Sequence, residues 1–317
     1  MLYPILFLIL GLVLLVKGAD WLVSGASSVA KRFNISDLAI GLTIVAFGTS
    51  APELVVNVVA SVQKHQEIVF GNVIGSNIFN LMGILGIVGL IAPLTVQSST
   101  AWKEIPLSFL AALVLFFMAN AWFLSEELIV SRFDGIILLM GFAGFLYYVS
   151  KQLKKDEATL DESAEKQLSV GKASSFIGIG LAGLIGGGRL VVDNAIEIAQ
   201  YLQWSEKIIG LTIVSIGTSL PELATSVVAV MKKNTDIAVG NVVGSNIFNI
   251  LLILATSAIV SPIPYSIGFN IDLLVLLAGT VFLFAAMFLG GRKTLDRWEA
   301  GILLSGYVVY TAYLLLA

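Results

Sequence analysis

Glu53 and Glu222 stand where acid is costly. Each lies inside a long apolar stretch, in GTSAPEL (Gly48–Leu54) and GTSLPEL (Gly217–Leu223), and the two are 169 residues apart. Intramembrane carboxylates are rare, expensive and usually functional. Thr49 and Ser50 precede Glu53 by four and three residues, so hydroxyls and carboxylate share one helix face; Thr218 and Ser219 do the same for Glu222. Downstream, GNVIGSNIFN (Gly71–Asn80) and GNVVGSNIFN (Gly240–Asn249) set Ser76 four residues before Asn80 and Ser245 four before Asn249. Pro52 and Pro221 donate no amide, so they interrupt their helices and free carbonyls near Ala46 and Gly48, and near Ser215 and Gly217. Every donor in this set is an oxygen, which suits hard cations such as Ca²⁺ and Na⁺. Two glutamates also match the charge of one divalent ion. Small and hydroxylated residues such as Ser76 or Ser245 commonly serve helix packing alone; their recurrence beside the glutamates in both copies favours a site.

The elements that must carry these residues are membrane helices. The 317-residue chain is 57% hydrophobic and 12% charged, against about 25% charged in a soluble domain. There is no cysteine and one histidine, which excludes disulfides, iron–sulfur clusters and thiolate metal sites and leaves no histidine-rich centre. A net charge of −3 gives no sign of nucleic-acid binding. The apolar start, with no charge before Lys17, reads as a retained first helix rather than a cleaved signal. Apolar runs of about 20 residues predict ten spans. They cover 3–30, 37–62, 67–91, 104–122, 128–150, 174–202, 207–231, 236–260, 270–290 and 298–316. Residues 151–172, with five lysines and five acids, read as a solvated linker between residues 1–150 and 173–317.

Parity gives the duplication its meaning. Without any gap, 26 of the 41 positions in 40–80 are identical to 209–249. With the N-terminus outside, thirteen Lys and Arg fall in inner loops and three, Lys64, Arg132 and Lys207, in outer ones. That bias places both termini outside and the linker in the cytoplasm. Five crossings separate the two glutamates, so the halves are inverted five-helix repeats. Such repeats are typical of secondary transporters, whose site lies where the halves meet. The expected fold is an all-α membrane protein of ten transmembrane helices, with one oxygen-lined site assembled from both halves.

The paired motifs resemble the alpha repeats of the cation/calcium exchanger superfamily, which includes the sodium/calcium exchangers, and the resemblance spans nearly the whole chain. It implies that Glu53 and Glu222 are shared carboxylates for Ca²⁺ or Na⁺. It further implies backbone ligation of the central ion by Thr49 and Thr218, and flanking Na⁺ sites at Ser50, Ser219, Ser76 and Ser245. Ala46 and Ser215 would offer carbonyls, and Asn80 and Asn249 would complete the centre. Similar proteins exchange three Na⁺ for one Ca²⁺, with the first and sixth helices sliding past an eight-helix core. Some relatives, K⁺-dependent exchangers among them, carry aspartate where this chain has Asn249, which argues against K⁺ transport. H⁺/Ca²⁺ exchangers typically carry glutamate at the positions of Gly75 and Gly244, which disfavours proton coupling by that route.

The expectation is a Na⁺/Ca²⁺ antiporter in the plasma membrane, monomeric, without enzymatic activity or cofactor, whose partners are Ca²⁺, Na⁺ and the bilayer. The alternatives are a Ca²⁺/H⁺ or other cation antiporter and, from another class, a cation channel. Outside the motifs, Lys17 and Asp20, and Arg189, Asp193 and Glu197, have helical spacing for local ion pairs. His65 is expected in a short, solvated outer loop. Trp21, Trp102, Trp122, Trp204 and Trp298 fall mostly near helix ends, as interfacial anchors do.

Overall fold

The computed structural model describes residues 2–33, 36–120, 128–153, 168–201, 211, 215–289 and 293–316. The helices are α1 (Leu2–Arg32), α2 (Asp37–Thr49), α3 (Ala51–Val62), α4 (Gln66–Ile91), α5 (Thr100–Ala119) and α6 (Arg132–Leu153). They continue with α7 (Val170–Tyr201), α8 (Ser215–Thr218), α9 (Leu220–Met231), α10 (Thr235–Val260), α11 (Ile267–Leu289) and α12 (Arg297–Leu316). Eight of these are long and apolar enough to span a bilayer, and α2 with α3 forms a ninth span bent by 45°. α8 and α9 repeat the break at Ser219, but residues 202–210 and 212–214 ahead of them lie outside the described residues. Of the segment expected as a linker, α6 occupies the start and α7 begins at Val170; residues 154–167 lie outside the described residues.

Four two-residue strands join the halves: β1 (Leu94–Thr95), β2 (Ile129–Val130), β3 (Ile263–Pro264) and β4 (Thr294–Leu295). β1 pairs antiparallel with β4, and β2 with β3. Leu94 and Ile263 are 169 apart, so β1 of the first half corresponds to β3 of the second. Each strand therefore pairs with an element of the opposite half, and the two pairings exchange under the repeat. The repeat reaches single residues: Lys64 and Lys233, also 169 apart, both end their helices with positive φ, 64° and 60°.

Burial grades from centre to rim. The membrane windows of α4 and α10 are 83% and 94% buried, those of α6 and α7 only 22% each, so the GN segments form the centre and the outer helices face lipid. α1 and α7 pack antiparallel along their length, backbone against backbone. A Cβ on Gly18 would lie 2.7 Å from the Gly180 carbonyl oxygen, and one on Gly180 2.8 Å from the Gly18 carbonyl oxygen. Only a residue without Cβ permits that approach. Gly25 meets Ala173 and Gly187 meets Gly11 in the same way, so the contact recurs every seven residues on both helices.

Candidate functional site

The two prolines do what their position requires. Across the α2–α3 break the last helical bond runs from the Ser50 amide to the Ala46 carbonyl (3.0 Å), and the next from the Leu54 amide to the Ser50 carbonyl (3.1 Å). The ladder thus skips the carbonyls of Phe47, Gly48 and Thr49. Across α8–α9 the bonds are Ser219 to Ser215 (3.2 Å) and Leu223 to Ser219 (3.0 Å), skipping Ile216, Gly217 and Thr218. The skipped carbonyls centre on Gly48 and Gly217, the ones that Pro52 and Pro221 deprive of an amide, whereas the Ala46 and Ser215 carbonyls, also expected to be free, still accept a helical amide.

The breaks bring all four Ser and Thr residues of the GTS segments to the seam between the halves. Ser50 Oγ donates to Glu222 Oε1 (2.8 Å), and Ser219 Oγ donates to Glu53 Oε1 (3.0 Å). Each glutamate is thus held by the serine of the other half. Both are essentially fully buried, and Glu53 Oε2 and Glu222 Oε2 have no hydrogen-bond partner among the described residues. Ser245 Oγ adds a bond to Glu222 Oε1 (3.2 Å) and lies 2.9 Å from Ser50 Oγ. Ser76 differs: its hydroxyl lies 3.3 Å from the Ser215 carbonyl and 3.4 Å from Asn72 Oδ1.

Asn80 and Asn249 sit at wide, π-helical turns of α4 (Phe79–Ile84) and α10 (Asn249–Leu254), a backbone irregularity common at functional sites. Both are buried. Asn80 has no partner for either side-chain atom, and Asn249 none for Oδ1, among the described residues. Buried polar atoms are normally satisfied. The unpartnered oxygens of Glu53, Glu222, Asn80 and Asn249 have the chemistry that suits a hard cation. Among the described residues no three His, Cys, Asp or Glu side chains converge elsewhere as a metal cluster.

Four further asparagines of the GN segments, without an assigned role in the sequence analysis, prove central. Thr49 Oγ1 donates to Asn241 Oδ1 (3.0 Å) and Thr218 Oγ1 to Asn72 Oδ1 (3.1 Å). Asn77 Nδ2 donates to the Asn246 carbonyl (3.3 Å) and Asn246 Nδ2 to the Asn77 carbonyl (3.2 Å), a reciprocal clasp across the pseudo-two-fold axis. Their identity in both copies was the available signal; the partner of each was not. Two more buried acids, Glu104 and Asp272, accept from Tyr148 and Tyr310 and tie α5 to α6 and α11 to α12.

The local pair expected between Lys17 and Asp20 is not the one formed. Asp20 on α1 pairs with Lys232, at the α9–α10 turn, at 2.7 Å. A lysine three residues away on the same helix was outcompeted by one brought alongside by tertiary packing. The side chains of Asp193 and Glu197 lie outside the described residues. His65 is exposed in the turn before α4, and Trp102 and Trp298 are each 58% exposed near the starts of α5 and α12, as anchors require. Trp122 and Trp204 lie outside the described residues.

The sequence profile of the family "Sodium/calcium exchanger protein" matches residues 3–151 and 172–316. The chain is 38% identical to inner membrane protein YrbG of Escherichia coli, covering 99% of this chain and 97% of that one. It is 31% identical to sodium/calcium exchanger MaX1 of Methanosarcina acetivorans, covering 98% and 97%. Among solved structures it resembles the sodium-calcium exchanger NCX_Mj, with 32% identity, a TM-score of 0.81 and 98% of each chain covered. The family profile leaves out only residues 152–171, the charged segment between the halves, and the extreme ends. A multi-pass membrane chain with a buried, oxygen-lined pair of glutamates at the seam of two repeats, it belongs to the sodium/calcium exchanger family of cation antiporters.

Proposed function

We propose that this protein exchanges Na⁺ for Ca²⁺ by alternating access at the site between Glu53 and Glu222. The observation that carries the reading is the crossed pair of bonds, Ser50 to Glu222 and Ser219 to Glu53, which leaves one oxygen of each buried carboxylate unpartnered. Two carboxylates balance one Ca²⁺, or most of the charge of several Na⁺, but not both loads together. Competition for the same charge couples the fluxes. The empty site, with two uncompensated acids, resists crossing between inward and outward states, because an unpaired buried charge is costly.

In this reading Glu53, Glu222 and the carbonyls of Thr49 and Thr218 hold Ca²⁺. Ser50 with Ser245, and Ser219 with Ser76, flank Na⁺ beside each glutamate, with carbonyls from Ala46 and Ser215. Asn80 and Asn249 complete the centre. Two inverted five-helix halves, residues 1–150 and 173–317, joined by a cytoplasmic linker at 151–172, place both termini outside. The thirteen-to-three distribution of Lys and Arg supports that orientation. Strand pairing agrees with it: β1 and β4 both follow helices leading inward, and β2 and β3 both follow helices leading outward. The paired helices α1 and α7, in contact through glycine backbones and facing lipid, are the elements free to slide. The protein acts as a monomer in the plasma membrane, needs no cofactor and performs no enzymatic step.

Uptake of isotope-labelled Ca²⁺ into vesicles, with Na⁺, K⁺ and H⁺ gradients imposed one at a time, tests this. Uptake should follow the Na⁺ gradient. Uptake that ignores Na⁺ and follows the pH gradient would replace this reading with Ca²⁺/H⁺ exchange, and currents at single-channel rates would replace it with a channel.

A further inference from the structure

Asn72 and Asn241 are fully buried and point at neither glutamate's side chain, yet each takes the hydroxyl of a threonine from the opposite half. We infer that these two asparagines are positioning residues that set the Thr49 and Thr218 carbonyls at the centre of the ion site, an inference that rests on the function proposed above. A buried threonine in a helix ordinarily returns its hydroxyl proton to its own preceding turn. Thr49 Oγ1 has that option, 3.0 Å from the Val45 carbonyl, and Asn241 Oδ1 competes for the proton at an equal 3.0 Å. Because threonine is branched at Cβ, few rotamers are open to it, and fixing its hydroxyl fixes the residue. The residue so fixed is one of the three whose carbonyls the helical ladder skips, so no helical hydrogen bond aims that oxygen.

The asparagine bonds also measure the gap between the halves. Asn241 Nδ2 donates to the Glu222 main-chain carbonyl (3.2 Å) and lies 3.1 Å from Ser226 Oγ. One side chain thus ties Thr49 of the first half to the backbone of the second half's glutamate. In the first half the Glu53 carbonyl is taken by Asn57 Nδ2 instead (2.8 Å), and Asn72 Nδ2 has no partner among the described residues. Asn241 is therefore anchored at both ends and Asn72 at one. An amide suits the task because its oxygen accepts without adding charge beside two carboxylates; aspartate would compete for the ion.

A double-mutant cycle on Ca²⁺ uptake by the full-length protein in vesicles tests the inference. Thr49→Val removes the hydroxyl and keeps the carbonyl, and Asn241→Leu removes the acceptor. Each should raise the half-saturating Ca²⁺ concentration about tenfold, the scale of one buried hydrogen bond with its orphaned partner. The double variant should be no worse than either single, because both remove the same interaction. The Thr218→Val and Asn72→Leu cycle should show the same coupling at about threefold. Multiplying effects in the double variants would overturn the inference, as would an unchanged half-saturation in Thr49→Val, which decides the matter alone if Asn241→Leu does not fold. Glu53→Gln and Glu222→Gln separate the two levels: normal flux in either sinks the proposed site itself, whereas dead glutamate variants with multiplying cycles sink only the role of the asparagines.

Discussion

The two halves share their site residues almost letter for letter but satisfy them differently. In the second half, Glu222 Oε1 accepts from both Ser50 and Ser245, Asn249 Nδ2 donates to Asn77 Oδ1 (2.9 Å), and Asn241 is anchored at both ends. In the first, among the described residues, Glu53 Oε1 accepts from Ser219 alone, and Asn80 at both atoms and Asn72 at Nδ2 have no partner. Ser76 is drawn away from Glu53 towards the Ser215 carbonyl. In the proposed site the second half is then the more prearranged wall, and the first offers more unused donor capacity to an incoming ion.

The largest expected effect tests whether the halves are both needed. Glu53→Gln or Glu222→Gln should each cut Ca²⁺ exchange at least about 100-fold, the scale of removing one partner from a buried charge arrangement. Melting temperatures should stay near that of the parent. Near-normal exchange in either variant would show that one half suffices and end the comparison.

Next come the asparagines. Asn80→Ala should weaken Ca²⁺ binding more than Asn249→Ala, since among the described residues Asn80 spends none of its side-chain hydrogen bonds on protein and Asn249 spends one. Half-saturating Ca²⁺ for the two variants decides it, with an expected gap of about three- to tenfold; the reverse order would make the second half the ligand wall. Asn249→Asp should alter the preference between Ca²⁺ and Na⁺ while exchange persists. Total loss of exchange would remove position 249 from the centre.

What the chain declared of this arrangement, and what it withheld, follows from the range of the interactions. Glu53, Glu222 and the prolines were legible because a buried charge and a missing amide are costly wherever the chain folds. The hydroxyl types beside each glutamate were legible, but the helix face expected to join them to it is not continuous, because the helix breaks at Ser50 and at Ser219. The crossing of Ser50 to Glu222, rather than to its neighbour Glu53, was not, because it depends on which half faces which. Asp20 shows the same limit: Lys17 lay in reach by sequence, yet the partner is 212 residues away. Gly11, Gly18 and Gly25 display a seven-residue period in the bare sequence, matched by Ala173, Gly180 and Gly187, but a period does not name the helix it meets. The position of the freed carbonyls needed the geometry of the break itself, which proline marks to within a residue.

A smaller effect separates the flanking hydroxyls. Ser245→Ala removes a bond to Glu222, and Ser76→Ala removes none to Glu53, so Ser245→Ala should raise the half-saturating Na⁺ concentration by about three- to tenfold more. Equal effects would mean that the carboxylate contacts of the two serines become alike once an ion is bound, and the asymmetry would belong to the ion-free arrangement alone.

The smallest effect lies at a pair of positions where the halves differ in charge. Lys232 Nζ meets Asp20 Oδ1 and Ser24 Oγ, both at 2.7 Å, and so links α1 to the turn between α9 and α10. The positions 169 residues away are Arg189 on α7 and Gln63 at the end of α3, which cannot form the same pair because Gln63 carries no charge. The Lys232–Asp20 pair thus has no charge-for-charge counterpart at positions 63 and 189, and it lies at the end of the molecule proposed to face the cytoplasm. Its side chains are 36% and 46% exposed, so solvent screens it, and such pairs are worth about 1 kcal/mol or less. Lys232→Ala or Asp20→Asn should therefore shift the ratio of half-saturating Na⁺ on the two membrane faces by less than about fivefold, and by less again at about 0.5 M salt. Exchanging the charges, Asp20→Lys with Lys232→Asp, should restore the parent ratio. Gln63→Lys with Arg189→Asp should install the missing pair at the other end and move the ratio in the opposite direction. A shift that survives high salt would mean that Lys232 acts through packing, and the asymmetry between the ends of the molecule would then have to be sought in the glycine contact of α1 with α7.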